Sequence, residues 1–211
     1  MIERNQHPEE IVKDIKQLME RSSRFISLSG LSGIAAGICA LVGAYLVRQK
    51  TGCWKIGDCL FGKLINQDSE LERYLYAVAA GVFIAAFSFA FFFTWLRSKK
   101  NNVPIWGSVA RRLMWNVAIP LAAGGVFLYA MIGLKQYELI APGCLLFYGL
   151  ALVSASKYTL SEIRYLGYSE IMLGLVNCWC ISYGLQFWAI GFGVLHIIYG
   201  VIMWWKYERK S

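Results

Sequence analysis

Glu170 and His196 are the residues of this 211-residue chain whose types and placement suit acid–base chemistry. Each stands inside a long apolar run, Glu170 in 160–183 and His196 at the midpoint of 186–205. An ionisable group at membrane depth is expensive, about 2.5–3.5 kcal/mol for a central Asp, Lys or Arg on insertion scales, and it needs a partner or water. The sequence around each residue supplies a seam of small and polar side chains. Gly167, Glu170, Gly174, Asn177 and Ile181 alternate spacings of three and four, and Ala189, Gly193, His196, Gly200 and Met203 do the same. Folding the two runs about residue 185 sets Gly174 opposite His196 and Glu170 opposite Gly200, so Glu170 and His196 lie roughly 6 Å apart along the axis at ~1.5 Å per residue.

Two readings of that pair stand side by side. In one it is a proton relay or a solute-binding site, completed by Arg112 at the start of the third helix and Asn116 within it. In the other, a neutral His196 donates a single interhelical hydrogen bond, while Glu170 pairs with Arg112 or reaches the membrane interface. No metal or cofactor is expected. The only other histidine, His7, is in the N-terminal segment and offers no second axial ligand for a haem.

The elements that position these residues are six apolar runs, 25–47, 74–96, 113–134, 139–156, 160–183 and 186–205. Each compares with the roughly 17–25 residues of a transmembrane helix. With 57% hydrophobic residues, 16% charged residues and a mean hydropathy of +0.48, no room is left for a soluble domain. The runs are continuous, so they lack the alternation of a membrane β-barrel. The expected fold is therefore all-α, a polytopic bundle of six helices over 25–206, with a segment 1–24 before it and a tail 207–211 after it. Phe25 to Val47 is too long for the apolar core of an export signal, about 7–15 residues, and five acidic residues precede it; helix 1 is expected to be retained.

Orientation follows from the basic residues. Of the 21 Lys and Arg, fifteen fall in the N-terminal segment, the helix 2–3 and 4–5 connections and the tail. Six fall on the other side: Arg48, Lys50, Lys55, Lys63, Arg73 and Lys135. By the positive-inside rule both termini are cytoplasmic, the N-in/C-in topology. The net charge of +8 is then a topology signal with some attraction to anionic headgroups; without a separate basic domain it does not point to nucleic acid.

Outside the runs, Pro8 to Glu20 puts Ile11, Ile15, Leu18 and Met19 on one helical face. That describes an amphipathic helix for the lipid bilayer surface, the bundle or a protein partner. Cys53 and Cys59 share the outer loop and are candidates for a disulfide around Trp54 and Gly57; free thiols and redox chemistry are the alternatives. Gly57 to Leu64 imitates a phosphate-binding loop, yet it has Leu64 where Ser or Thr would bind magnesium, and no apolar strand precedes it. Cys39, Cys144, Cys178 and Cys180 fall in the outer halves of their helices, which suits a membrane thiol oxidoreductase or ordinary packing.

Within the bundle, helix 1 carries Ser29, Gly33 and Gly37 beside Ser32, Ala36, Ala40 and Ala44, a stripe that lets other backbones approach. Helix 2 is crowded with Phe83, Phe87, Phe89, Phe91, Phe92, Phe93 and Trp95, and is expected at the rim facing lipid. Helix 3 places Arg112, Asn116, Pro120 and Gly124 four apart. Thr159 with Glu162 reads as a capping box, and Gly184 as the tight turn into helix 6. Helices 1, 3, 5 and 6 are the expected core.

The stretches Arg21 to Gly33 and Phe187 to His196 resemble a family of uncharacterised bacterial six-helix inner-membrane proteins of similar length. The resemblance covers the whole chain and implies a multi-pass protein of the cytoplasmic membrane, but it brings no activity with it. Three functions remain in view. The first is a small-solute or proton-linked transport or sensing module built on the polar seam. The others are a structural or partner-binding protein and a thiol oxidoreductase.

Overall fold

The computed structural model describes residues 29–52, 69–100 and 106–209. The amphipathic stretch Pro8 to Glu20, the Cys53–Cys59 loop and the phosphate-loop lookalike lie outside them. The described residues form an all-α bundle of six helices: α1 (Gly30–Thr51), α2 (Ser69–Lys100), α3 (Ser108–Gly133), α4 (Ile140–Ala155), α5 (Glu162–Trp179) and α6 (Ile181–Tyr207). All but α5 are long and apolar enough to cross a membrane, α4 together with the 3-10 turn Tyr137–Leu139 that precedes it. The exception has a plain cause, because its 18 residues hold Glu162, Arg164 and Glu170. It is also a core helix, burying Leu166, Gly167, Glu170, Gly174 and Asn177.

α2 runs well beyond its apolar stretch, with Glu70 and Glu72 in its first turn and Arg97, Lys99 and Lys100 in its last. At 32 residues it spans about 48 Å. A hydrocarbon layer of about 30 Å leaves those charged ends among headgroups and water.

Glycine decides which helices meet most closely. Between α1 and α6, a Cβ on Gly33 would stand 3.2 Å from the Gly200 Cα and the His196 carbonyl oxygen, and one on Gly200 would stand 2.6 Å from the Gly30 carbonyl oxygen. Between α4 and α5, a Cβ on Gly149 would lie 2.8 Å from the Gly167 carbonyl oxygen, and the reverse substitution would meet Gly149 at 2.9 Å. Backbones this close gain dispersion contacts that lipid tails do not match, which is what holds helices together in a bilayer. α2 leans on α1, and α3 on α4.

The centre is thus made by α1, α4, α5 and α6, with α4 in the place expected for α3. α3 buries Gly124 against the Phe147 ring of α4 and little else. Its polar face is satisfied locally, since Asn116 Nδ2 donates to the Arg112 carbonyl at 2.8 Å.

Two ends of the bundle differ. At one end, Glu208 accepts a hydrogen bond from the Gly30 amide at 2.6 Å and pairs with Arg97 at 2.6 Å, tying together the start of α1 and the ends of α2 and α6. Most described basic residues lie at this end, which we call the basic end. The opposite end is closed by apolar packing of Ala44, Leu71 and Leu185, joined by Tyr137 and Trp188.

Candidate functional site

α6 is not a uniform helix. A 3-10 turn, Ile181–Tyr183, leads into an α-helical turn, Gly184–Trp188; a π-helical segment follows, Ala189–Leu195, and then α-helix, His196–Tyr207. π segments are rare and concentrate at functional sites, because the wider turn re-aims side chains that a regular helix would place elsewhere. Here the segment ends at His196, whose ring folds back on it: Nδ1 lies 3.0 Å from the Gly191 carbonyl oxygen.

That contact assigns the imidazole. A carbonyl only accepts, so Nδ1–H donates to Gly191, and Nε2 is left to accept from the Tyr148 hydroxyl of α4 at 2.8 Å. Tyr148 and Phe192 flank the ring, their centroids 5.4 and 6.0 Å from it. Aromatic faces pack against a neutral imidazole and attract a charged one.

Glu170 meets this ring from α5. Its Oε1 stands 3.5 Å from His196 Nδ1, ion-pair distance but too long for a good hydrogen bond. Its side chain is 0% exposed, and neither carboxyl oxygen has a hydrogen-bond donor among the described residues. Gly191 makes room for the carboxyl group, since a Cβ there would stand 2.5 Å from Glu170 Oε2. The arrangement has two charge-neutral forms: a carboxylic acid beside a neutral imidazole, or a carboxylate beside an imidazolium. They differ by one proton, which with Nδ1–H in place must reach Nε2 on the Tyr148 side of the ring, in surroundings where an isolated charge would be costly.

No protein-family model, curated protein or solved structure matches this chain.

The expected site residues separate into two sets. Glu170 and His196 are brought together, while Asn177 is 0% exposed further along α5, its Nδ2 donating to the Cys180 carbonyl at 3.1 Å. Arg112 is exposed on α3, Asn116 is spent on the Arg112 backbone, and neither joins the pair. Tyr148 of α4 takes the place expected for them.

The register differs from the expected fold-back as well. Glu170 faces the stretch from Gly191 to His196, not Gly200, because α5 ends at Trp179 and the 3-10 turn reverses the chain before residue 185. Gly184 is already helical, with φ −51°, and its missing side chain serves a close approach to Ala141. The glycine stripes also face other partners, Gly167 and Gly174 toward α4, Gly193 and Gly200 toward α1. Of the two seams, Glu170 and His196 are brought together.

The capping box does not form. Thr159 donates to the Ala155 carbonyl at 3.1 Å, and α5 begins only at Glu162. Glu162 instead accepts from Lys206 Nζ at 2.5 Å and the Tyr207 hydroxyl at 2.9 Å, joining α5 to the end of α6. Cys39, Cys144, Cys178 and Cys180 are free thiols, and no group of three or more metal-ligating side chains occurs among the described residues.

Proposed function

We propose that this chain is a multi-pass protein of a bacterial cytoplasmic membrane, both ends inside, that serves as a proton-linked transport or sensing module working through Glu170 and His196. One observation carries the proposal: a carboxyl group with no exposure and, among the described residues, no hydrogen-bond donor stands 3.5 Å from an imidazole in the middle of an apolar bundle. A group that only held helices together would be expected to find a hydrogen-bond partner, since buried polar groups nearly always have one. An intramembrane ionisable residue is by default a functional candidate, and this one stands beside a second ionisable group whose protonation its own charge must influence. The orientation rests on the basic end, which the positive-inside rule places in the cytoplasm.

A second reading has its own support. The imidazole already has both nitrogens engaged, by Tyr148 and Gly191, as a structural clasp between α4 and α6 would.

Infrared difference spectroscopy between acid and alkaline buffer, on protein in liposomes, separates the two. A proton-linked site yields a carboxylic C=O stretch that changes with pH, disappears in Glu170→Gln and shifts in His196→Gln. A clasp yields no pH-dependent band assignable to Glu170, and that outcome overturns the proposal.

A further inference from the structure

The buried polar atoms without a partner are not scattered. Among the described residues they are both Glu170 carboxyl oxygens, Asn177 Oδ1, Gln186 Oε1 and the Tyr199 hydroxyl, and all belong to α5 and α6. Each loses its water on burial without a protein replacement, a cost that internal water relieves where several such atoms follow one another.

Their order along the bundle is informative. Tyr199 follows His196 by three residues, so it lies on the same helical face and about 4.5 Å nearer the basic end. It lies within electrostatic range of Tyr148 on one side and of Glu162 and Tyr207 on the other. Glu162 and Lys206 form the outer member of the series, and the Lys206 side chain is 57% exposed. Beyond Glu170 the series is interrupted. Leu145, 0% exposed, packs its Cδ2 where a Gly191 Cβ would stand, against the Glu170 carboxyl group. Asn177 is a further ~10 Å along α5, past this leucine.

Resting on the reading of Glu170 as a proton site, we propose that protons reach it from the basic end only, along a file of water held by Tyr199 and Tyr148, with Leu145 as the plug toward Asn177 and Gln186. The titratable groups facing the carboxyl group are His196 from α6 and Tyr148 from α4. The transfer moves no electrons: each hydroxyl or water takes one proton and passes one on, until the last forms the O–H bond of Glu170. Removing the Tyr199 hydroxyl breaks no hydrogen bond among the described residues.

The test follows the Glu170 carboxyl band after full-length protein in liposomes is switched rapidly from H2O to D2O. Tyr199→Phe is expected to slow the isotope shift at least tenfold while leaving the band's pH midpoint where it was, which a merely structural tyrosine would not do. Leu145→Ala is expected to accelerate the shift and to make the liposomes leak protons. A Tyr199→Phe protein that exchanges at the wild-type rate overturns the route and leaves Glu170 as the proton site. Absence of any Glu170 band in the unsubstituted protein overturns the site and the route together.

Discussion

α2 and α5 are opposites in this bundle. α2 is a long aromatic helix whose central apolar window has no buried residue, and Phe83 is 70% exposed. α5 is the one helix too charged to qualify as a span by composition, yet it hides Glu170 and Asn177 completely. In water this order would be inverted, with apolar residues inside and polar ones out. In a bilayer the aromatic helix is already solvated by lipid, whereas a polar group gains nothing from hydrocarbon and must be enclosed by protein. The fully buried side chains accordingly include Glu170 and Asn177 beside Leu145 and Met203, while the phenylalanines of α2 stay outside.

Among substitutions, the largest effect is expected where backbones touch. Gly200→Leu drives a side chain into the Gly30 carbonyl and Ile34 of α1. Overpacking of this kind costs about 1–3 kcal/mol. Detergent-solubilised protein should lose about 5–10 °C in Tm or fail to remain monodisperse. Next comes Gly191→Ala, which pushes on the Glu170 carboxyl group; the pH-dependent infrared band should broaden or move even if the helices stay in place.

Tyr148→Phe leaves His196 Nε2 buried without its donor, a loss of about 1–3 kcal/mol. It should lower Tm by no more than Gly200→Leu does, because side chains around His196 can shift where the Gly200 and Gly30 backbones cannot. The smallest effects belong to α2 and α3. Phe83→Leu, on the lipid face, and Arg112→Ala, exposed and away from the pair, should each change stability by no more than about 0.5 kcal/mol. A large effect of either would mean that a partner covers those faces, and the contrast between α2 and α5 would need revision.

The same contrast explains what could be read in the amino-acid order. Phenylalanines on every side of helix 2 reveal a helix with no preferred protein face. The small stripe of helix 1 and the two ionisable residues at depth were equally plain, since each is a local pattern. Tyr148 was hidden, because in the run 139–156 it is one amphipathic residue among apolar ones and owes its role to α4 occupying the centre. Gly191 was hidden by company, as one glycine among several on α6. The π segment left no signature at all, since it is a shift of hydrogen-bond register and not of residue type, yet it brings the Gly191 carbonyl under His196. The capping box misled for a similar reason: Thr159 and Glu162 have suitable spacing, but the end of α4 and the end of α6 offered each a partner.

In the proposed function the protonation of Glu170 and that of His196 are coupled, and the histidine reports on the coupling most directly. The chain has two histidines, so His7→Gln leaves His196 as the single source of imidazole signals. Nitrogen-15 NMR of that protein in liposomes, recorded across pH, should show Nδ1 protonated and Nε2 accepting in the neutral form. The spectrum should then convert to that of an imidazolium at a midpoint that moves when Glu170→Gln is added. A His196 signal that stays neutral at every pH and is the same in the presence and absence of the Glu170 carboxyl group would make the pair a structural clasp and contradict the account.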